Sequence, residues 1–162
     1  MDPFHAPTKE RDKTFMERFF ELTLKPYLLI TGLATTSVLI VFFLPTFTIT
    51  RQYGYTEEML VGFEYWISLW QHWGIMVAGV GLQLLYSIRH PQVRGMAMTF
   101  SAVEKAIFAF MFLYQVVVLG NTWFTVWLII FIHDFAVTLY SLAYIIYLKR
   151  RDPATTPVHL RP

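Results

Sequence analysis

The chain has 162 residues, 56% of them hydrophobic and 18% aromatic, against 15% charged and a formal net charge of +2. That composition is too apolar for a soluble domain of this size and indicates a membrane protein. There is no cysteine, so a thiol relay, a disulfide, a thiolate metal site and a covalent c-type haem are excluded.

Residues 1–25 form a charged N-terminal segment. Within TFMERFFELTLKP, Phe15, Met16, Phe19 and Phe20 recur at helical spacing against Glu17, Arg18 and Glu21, the pattern of an amphipathic helix lying on a membrane surface. Crossing about 30 Å of hydrocarbon takes roughly 20 helical residues, and four stretches meet that length: 26–44, 70–88, 96–119 and 123–148. Pro26 suits the first turn of the first span, and Pro45 closes it because proline cannot continue a helix. The first apolar run is too long for a cleaved signal peptide and reads as a retained anchor.

The loop that follows contains EEMLVGFEYWISLW. Met59, Leu60, Phe63, Trp66, Ile67 and Trp70 form one stripe, with Glu57, Glu58 and Glu64 off it. This reads as a surface helix held in an aromatic belt, with a lid over a ligand entrance as the sharper alternative. RHPQVRG, around Pro91, is a short turn between the second and third spans, and Gly120 with Asn121 is another before Trp123. Such short connections make neighbouring spans antiparallel. Residues 152–162 read as a disordered tail. The expected fold is all-α, a four-helix transmembrane bundle over 26–151 with interfacial amphipathic helices.

The 13 Lys and Arg residues set the orientation, because basic residues stay on the cytoplasmic side. Lys9, Arg11, Lys13, Arg18 and Lys25 precede the first span, Arg89 and Arg94 lie between the second and third, and Lys149, Arg150, Arg151 and Arg161 follow the fourth. Arg51 alone lies in the first loop. Both termini are therefore expected in the cytoplasm. The basic residues are explained by topology, which leaves no support for nucleic-acid binding.

Lys105 is the exception, since it falls inside the third span. Charges in hydrocarbon normally face a partner or a cavity. At the helical rise Lys105 sits about 13 Å above the start of its span, and Asp134 lies about 21 Å from the end of the fourth, less if that helix tilts. The two can meet near mid-membrane. Thr31, Thr35 and Thr36, Gln83, Glu104 and His133 fall at comparable levels, so a polar layer drawn from all four spans is expected around Lys105 and Asp134, with Thr35 and Thr36 its members from the first span. Adjacent residues point about 100° apart on a helix; one member of each pair, Glu104/Lys105 and His133/Asp134, faces the axis while the other faces a neighbour. Glu104 then needs His133, Gln83, a second subunit or a bound proton. The layer has two readings: a clasp holding helices in register, or the lining of a wet cavity for a headgroup, a substrate or a proton.

Other chemistry is thinner. His72 and His133 differ in depth by roughly two turns, so they do not offer a bis-histidine haem site, and no cofactor is expected. Glu64, Gln71 and His72 lie at the outer mouth without a recognised metal motif, and no metal site is expected. Ser101 falls three residues before Glu104 without other signs of a serine nucleophile. Gly74, Ala78, Gly79 and Gly81 have the small-residue spacing of close helix packing.

The stretch WQHWGIMVAGVGLQLLYSIRHPQVRGMAMTFSAVEKAIFAF, with Trp73 and Gly74, the Gly79 to Leu85 body, Pro91, Arg94, Lys105, Asp134 and the Tyr147 to Arg151 end, resembles the small bacterial four-helix membrane proteins near the DoxX-like and DUF4345-type families. The resemblance covers 26–151. It implies an inner-membrane helical bundle; Glu104, His133 and the long first loop lie outside its pattern. The function expected is a non-catalytic membrane protein that binds a lipid or small amphiphile, or an accessory subunit of a larger complex or homo-oligomer. The alternatives are a small transporter or proton-coupled channel that titrates Glu104, His133 and Asp134, and a membrane enzyme acting on a lipid or quinone with His133 as general base.

Overall fold

A computed structural model describes residues 14–53, 55–62 and 64–151. The first thirteen residues and the expected tail at 152–162 lie outside the described set. All regular elements among the described residues are helical. They are α1 (Phe15–Thr36), α2 (Ile40–Phe43), α3 (Pro45–Tyr53), α4 (Glu57–Leu60), α5 (Glu64–Arg89), α6 (Arg94–Leu113) and α7 (Leu128–Arg151).

The N-terminal surface helix and the first span are one helix. Thr14 caps α1 reciprocally with Glu17, its amide donating to Glu17 Oε2 at 2.9 Å, which serves amides that have no intrahelical partner. Pro26 lies inside α1 and does not open it. The ring is exposed to the side, so the lost amide bond is the main penalty. A 3₁₀ turn at Ser37–Leu39 leads into α2, Leu44 breaks the helix at φ −131°, and Pro45 begins α3. Gln71 Nε2 donates to the Phe42 carbonyl at 2.9 Å beside this break. The expected amphipathic helix of the loop is split: α4 ends at Leu60, Val61 is extended, Gly62 takes φ +81°, and α5 starts at Glu64, ahead of the expected Trp70.

The turn at Pro91–Val93 is as short as expected. Arg94 closes it, donating from Nε to the Ser87 carbonyl at 2.9 Å and from a terminal nitrogen to that of Ile88 at 3.0 Å. These bonds serve carbonyls left open at the end of α5. At the other turn, α6 passes through a π segment (Tyr114–Val118), Gly120 adopts φ +65°, and a 3₁₀ stretch (Thr122–Trp127) leads into α7.

Helix α1 lies antiparallel to α5 and α6 antiparallel to α7; the two pairs meet along an α5/α6 seam. The α1/α5 approach is close because Gly81 lacks a side chain: a Cβ there would fall 2.5 Å from the Thr36 amide nitrogen and hydroxyl and 2.8 Å from the Gly32 carbonyl. Gly74 similarly faces Val38 and Val41, whereas Gly79 faces open space. Against α7, α1 packs through rings: Tyr27 stacks on Tyr140 at 3.8 Å, and Phe20 meets Tyr140, Tyr144 and Tyr147.

Two apolar clusters fill the interior. Phe20, Leu24, Leu28, Leu84, Ala97, Met98 and Tyr144 pack near the end that carries Arg89, Arg94 and Lys149–Arg151, the basic end. Phe112 and Trp127 pack with Tyr55, Trp70, Phe108 and Phe131 at the opposite, aromatic end. The perimeter is apolar as well, with Leu22 77%, Phe110 72% and Ile129 81% exposed. Among the described residues, three helices are long and apolar enough to cross a membrane: Phe15–Phe43, Pro91–Val118 and Leu128–Arg151. The expected second span, in α5, is not among them. Helix α5 matches them in length, with 26 residues, but Gln71, His72 and Gln83 dilute its apolar character.

Candidate functional site

Between the two apolar clusters lies a layer of polar side chains. Lys105 and Asp134 are its centre, with side chains 6% and 4% exposed and Nζ 3.5 Å from Oδ1. Helix spacing builds the walls around them. Phe112, two turns along α6 from Lys105, stacks at 4.5 Å on Phe131, one turn before Asp134. On the basic side, Ser141 Oγ donates to Met98 Sδ at 3.9 Å. The pair is thus sealed above and below.

The cluster extends sideways through the flanking residues. Lys105 Nζ lies 3.0 Å from Glu104 Oε2 and donates to Oε1 at 3.3 Å. His133 Nδ1 lies 2.9 Å from Asp134 Oδ1. The four groups run in the order Glu104, Lys105, Asp134, His133. Glu104 and His133 are the outer members, with side chains 27% and 37% exposed.

The outer members face different seams. On α6, Ala97, Ser101, Glu104, Phe108 and Met111 recur at i, i+4, i+7, i+11 and i+14, one face of a helix. Phe108 and Met111 line a cavity with Trp66, Leu69, Trp70 and Trp73 of α5, and Ala97 lines another with Leu82, Gln83 and Tyr86; Glu104 therefore opens on the α5/α6 seam. On α7, His133, Val137, Tyr140 and Tyr144 share a face, and Tyr140 hydrogen-bonds Thr23 at 2.8 Å and stacks on Tyr27 of α1. His133 opens on the α1/α7 seam. The charged row therefore crosses the interior from one seam to the other.

The remaining residues expected in the layer divide. Thr35 is buried, and its hydroxyl has no hydrogen-bond partner among the described residues; the hydroxyls of Thr36 and Ser101 are in the same condition. Thr36 belongs to the Gly81 contact and not to the charged row. Gln83 is exposed on the seam, outside the layer, because its position on α5 turns away from Ala78, Gly81 and Leu84, which pack inward. Thr31, expected at the same level, is buried; Thr138 and Ser141 are buried hydroxyls that the sequence reading missed, and their helical spacing from Asp134 was the available signal. Thr138 donates to the Asp134 carbonyl at 2.8 Å, and Ser141 meets the Tyr27 hydroxyl at 3.0 Å.

Two adjoining concave surfaces lie at the aromatic end. A cavity of about 310 Å³ is lined by Tyr55, Trp66, Leu69, Trp70, Trp73, Phe108, Met111 and Trp127. A second, of about 560 Å³, shares Tyr55, Trp66 and Trp70 and reaches Ile49, Met59, Leu60 and Ile67. Trp70 and Trp127 stack at 5.6 Å, and Trp73 meets Trp70 edge-on at 5.2 Å. Burial pushes the Tyr55 hydroxyl above its ordinary pKa of 10.0, which keeps it a neutral donor. At the basic half of the seam, a cavity of about 280 Å³ is lined by Leu82, Gln83, Tyr86, Val93, Met96 and Ala97. A further one of about 530 Å³ lies against Leu29, Leu85, Tyr86, Ile88, Arg89 and His90. None of these cavities is lined by Lys105 or Asp134.

At the outer mouth, Gln71 is tied to Phe42 as described, His72 is exposed, and the Glu64 side chain is outside the described set. Among the described residues no three His, Asp or Glu side chains converge as metal ligands. No family model, curated protein or solved structure matches the chain.

Proposed function

We propose that the protein is a non-catalytic integral membrane protein that holds a small amphiphile in the α5/α6 seam, with its outer part in the aromatic cavity. The observation that carries this reading is the pair of adjoining cavities sharing Tyr55, Trp66 and Trp70, whose walls are almost wholly aromatic or aliphatic. Binding sites for small amphiphiles are concave and apolar with a few polar groups, and tryptophan and tyrosine favour the headgroup level of a bilayer.

On this reading all four long helices cross the membrane. Helix α5 lies between α1 and α6 and runs antiparallel to α1, so a chain that enters α6 in the same direction as α1 returns through α5. Its length, about 39 Å for 26 residues, suffices. The basic end faces the cytoplasm, and the resemblance to DoxX-like proteins makes the membrane a bacterial inner membrane. The Lys105/Asp134 pair holds α6 to α7 and keeps one wall of the seam in register.

Native mass spectrometry of protein purified in mild detergent tests the reading. A co-purified amphiphile is retained by the wild type and by Ile107→Ala on the exposed face, and lost by Trp70→Ala. Wild type free of any adduct under gentle desolvation, or equal retention by Trp70→Ala, contradicts it.

A further inference from the structure

At the basic end, one cavity combines apolar walls with a guanidinium. It has a volume of about 530 Å³ and lies between Leu29 of α1 and Leu85, Tyr86, Ile88, Arg89 and His90 at the end of α5. We propose that it binds an anionic glycerophospholipid, with the phosphate on Arg89 and His90 and an acyl chain along Leu85 and Leu29. The inference rests on the membrane placement given above, and not on an occupant of the aromatic cavity.

Helix geometry puts the cation in the middle of the site. Successive residues step by about 100°, and Leu85 and Arg89 are one turn apart. Both therefore point to the centre of the arc that lines the cavity, with Ile88 on one side and Tyr86 on the other. Leu85 packs towards α1, since a Cβ on Gly32 would fall 2.8 Å from its side chain. The His90 ring is held by stacking on Tyr86, with centroids 3.9 Å apart and planes 18° from parallel. Among the described residues, neither Arg89 nor the His90 ring has a hydrogen-bond or ion-pair partner. The planar fork of arginine matches phosphate in a bidentate geometry, and imidazole has an N–H to donate whether neutral or protonated.

The charges around the cavity select an anion. Lys25 lies one turn before Leu29 on the same face of α1 and is exposed. Between Glu64 at the start of α5 and Glu104 on α6 the chain has no acid. The nearest acid on α1 is Glu21, eight residues before Leu29, about 12 Å along the helix. The cavity walls thus offer no carboxylate to the ammonium of a zwitterionic headgroup. The carbonyl end of a helix ordinarily opposes an anion, but here Arg94 already covers the Ser87 and Ile88 carbonyls.

The apolar walls favour a lipid over a free phosphate. Leu29 and, one turn further from the basic end, Leu33 are exposed, so the cavity opens sideways to the bilayer along an aliphatic track. Basic pockets between membrane helices at the cytoplasmic side are suited to anionic headgroups.

Native mass spectrometry of the delipidated full chain in detergent, titrated with phosphatidylglycerol or with phosphatidylcholine of the same acyl chains, tests this. Phosphatidylglycerol is expected to bind at least about tenfold more tightly, the effect of hydrogen bonds to one charged group. Arg89→Gln should remove that preference and Arg89→Lys should keep part of it. Leu29→Trp, which fills the cavity and leaves every charge in place, should weaken binding as well. Arg150→Gln removes a cation outside the cavity and should change nothing, and far-UV circular dichroism confirms that each variant is folded. Equal affinity for the two lipids, binding of neither, or equal losses from Arg150→Gln and Arg89→Gln overturns the inference. Glycerol 1-phosphate binding as tightly as the lipid assigns the cavity to a free phosphate and also overturns it. If Trp70→Ala removes bound phosphatidylglycerol and Arg89→Gln does not, the lipid belongs to the aromatic cavity: this inference falls and the amphiphile reading stands.

Discussion

Lys105 contacts two acids, the partly exposed Glu104 and the buried Asp134, and its replacement by methionine has an effect that can be worked out from the distances. It lies 3.0 Å from Glu104 and 3.5 Å from Asp134. At an effective dielectric constant of about 20, each contact is worth roughly 5 kcal/mol of gross attraction, most of it offset by desolvation. Lys105→Met leaves Glu104 and Asp134 without their shared cation, and breaking a buried pair in this way destabilises by about 3–5 kcal/mol. Asp134→Leu should be milder, because Lys105 keeps Glu104 at 3.0 Å and the remaining charges cancel. For a chain of this length a loss of that size lowers Tm by about 10 °C, readable from tryptophan fluorescence on heating in a single detergent. The triple variant Glu104→Gln, Lys105→Met, Asp134→Leu should return close to wild type. Equal losses from Asp134→Leu and Lys105→Met, or none from either, would refute the view that Lys105 holds both acids.

Gly81→Ala should separate α1 from α5, because its Cβ would fall on Thr36; the overpacking is expected to destabilise by about 1–3 kcal/mol, measured by the same thermal assay, while Gly79→Ala leaves Tm unchanged or raised. Arg94→Ala removes two charge-assisted bonds to the Ser87 and Ile88 carbonyls, and faster amide hydrogen exchange should appear at the turn following α5. Tyr140→Phe deletes the bond to Thr23 but keeps the stack on Tyr27, so its loss should stay near 1 kcal/mol, well below that of Tyr140→Ala.

Much of this was legible in the residues. Depth along two antiparallel helices was enough to match Lys105 with Asp134, because rise per residue is fixed and the turn at Gly120 is short. The 100° step between neighbours correctly separated Glu104 from Lys105 and His133 from Asp134, but it gave no direction for the outer members. That direction depends on which helix lies on each side of α6 and α7. Gln83 was placed in the layer by depth alone; rotation about α5 removes it. The continuity of α1 through Pro26 was hidden because a proline near the first turn of an apolar run looks like a start, whereas the Thr14 cap lies twelve residues earlier. The aromatic cavity was visible only as a stripe of Trp66 and Trp70. Its far wall, Trp127 and Phe108, comes from helices distant in sequence.

An experimental structure of the protein in a lipid nanodisc, with its co-purified ligand retained, tests the central claim most directly. The account predicts elongated density in the α5/α6 seam, running from the rings of Trp70 and Trp127 towards the Glu104 carboxylate. A seam in which Phe108 and Met111 close directly onto α5, with no density between Trp70 and Glu104, would contradict it.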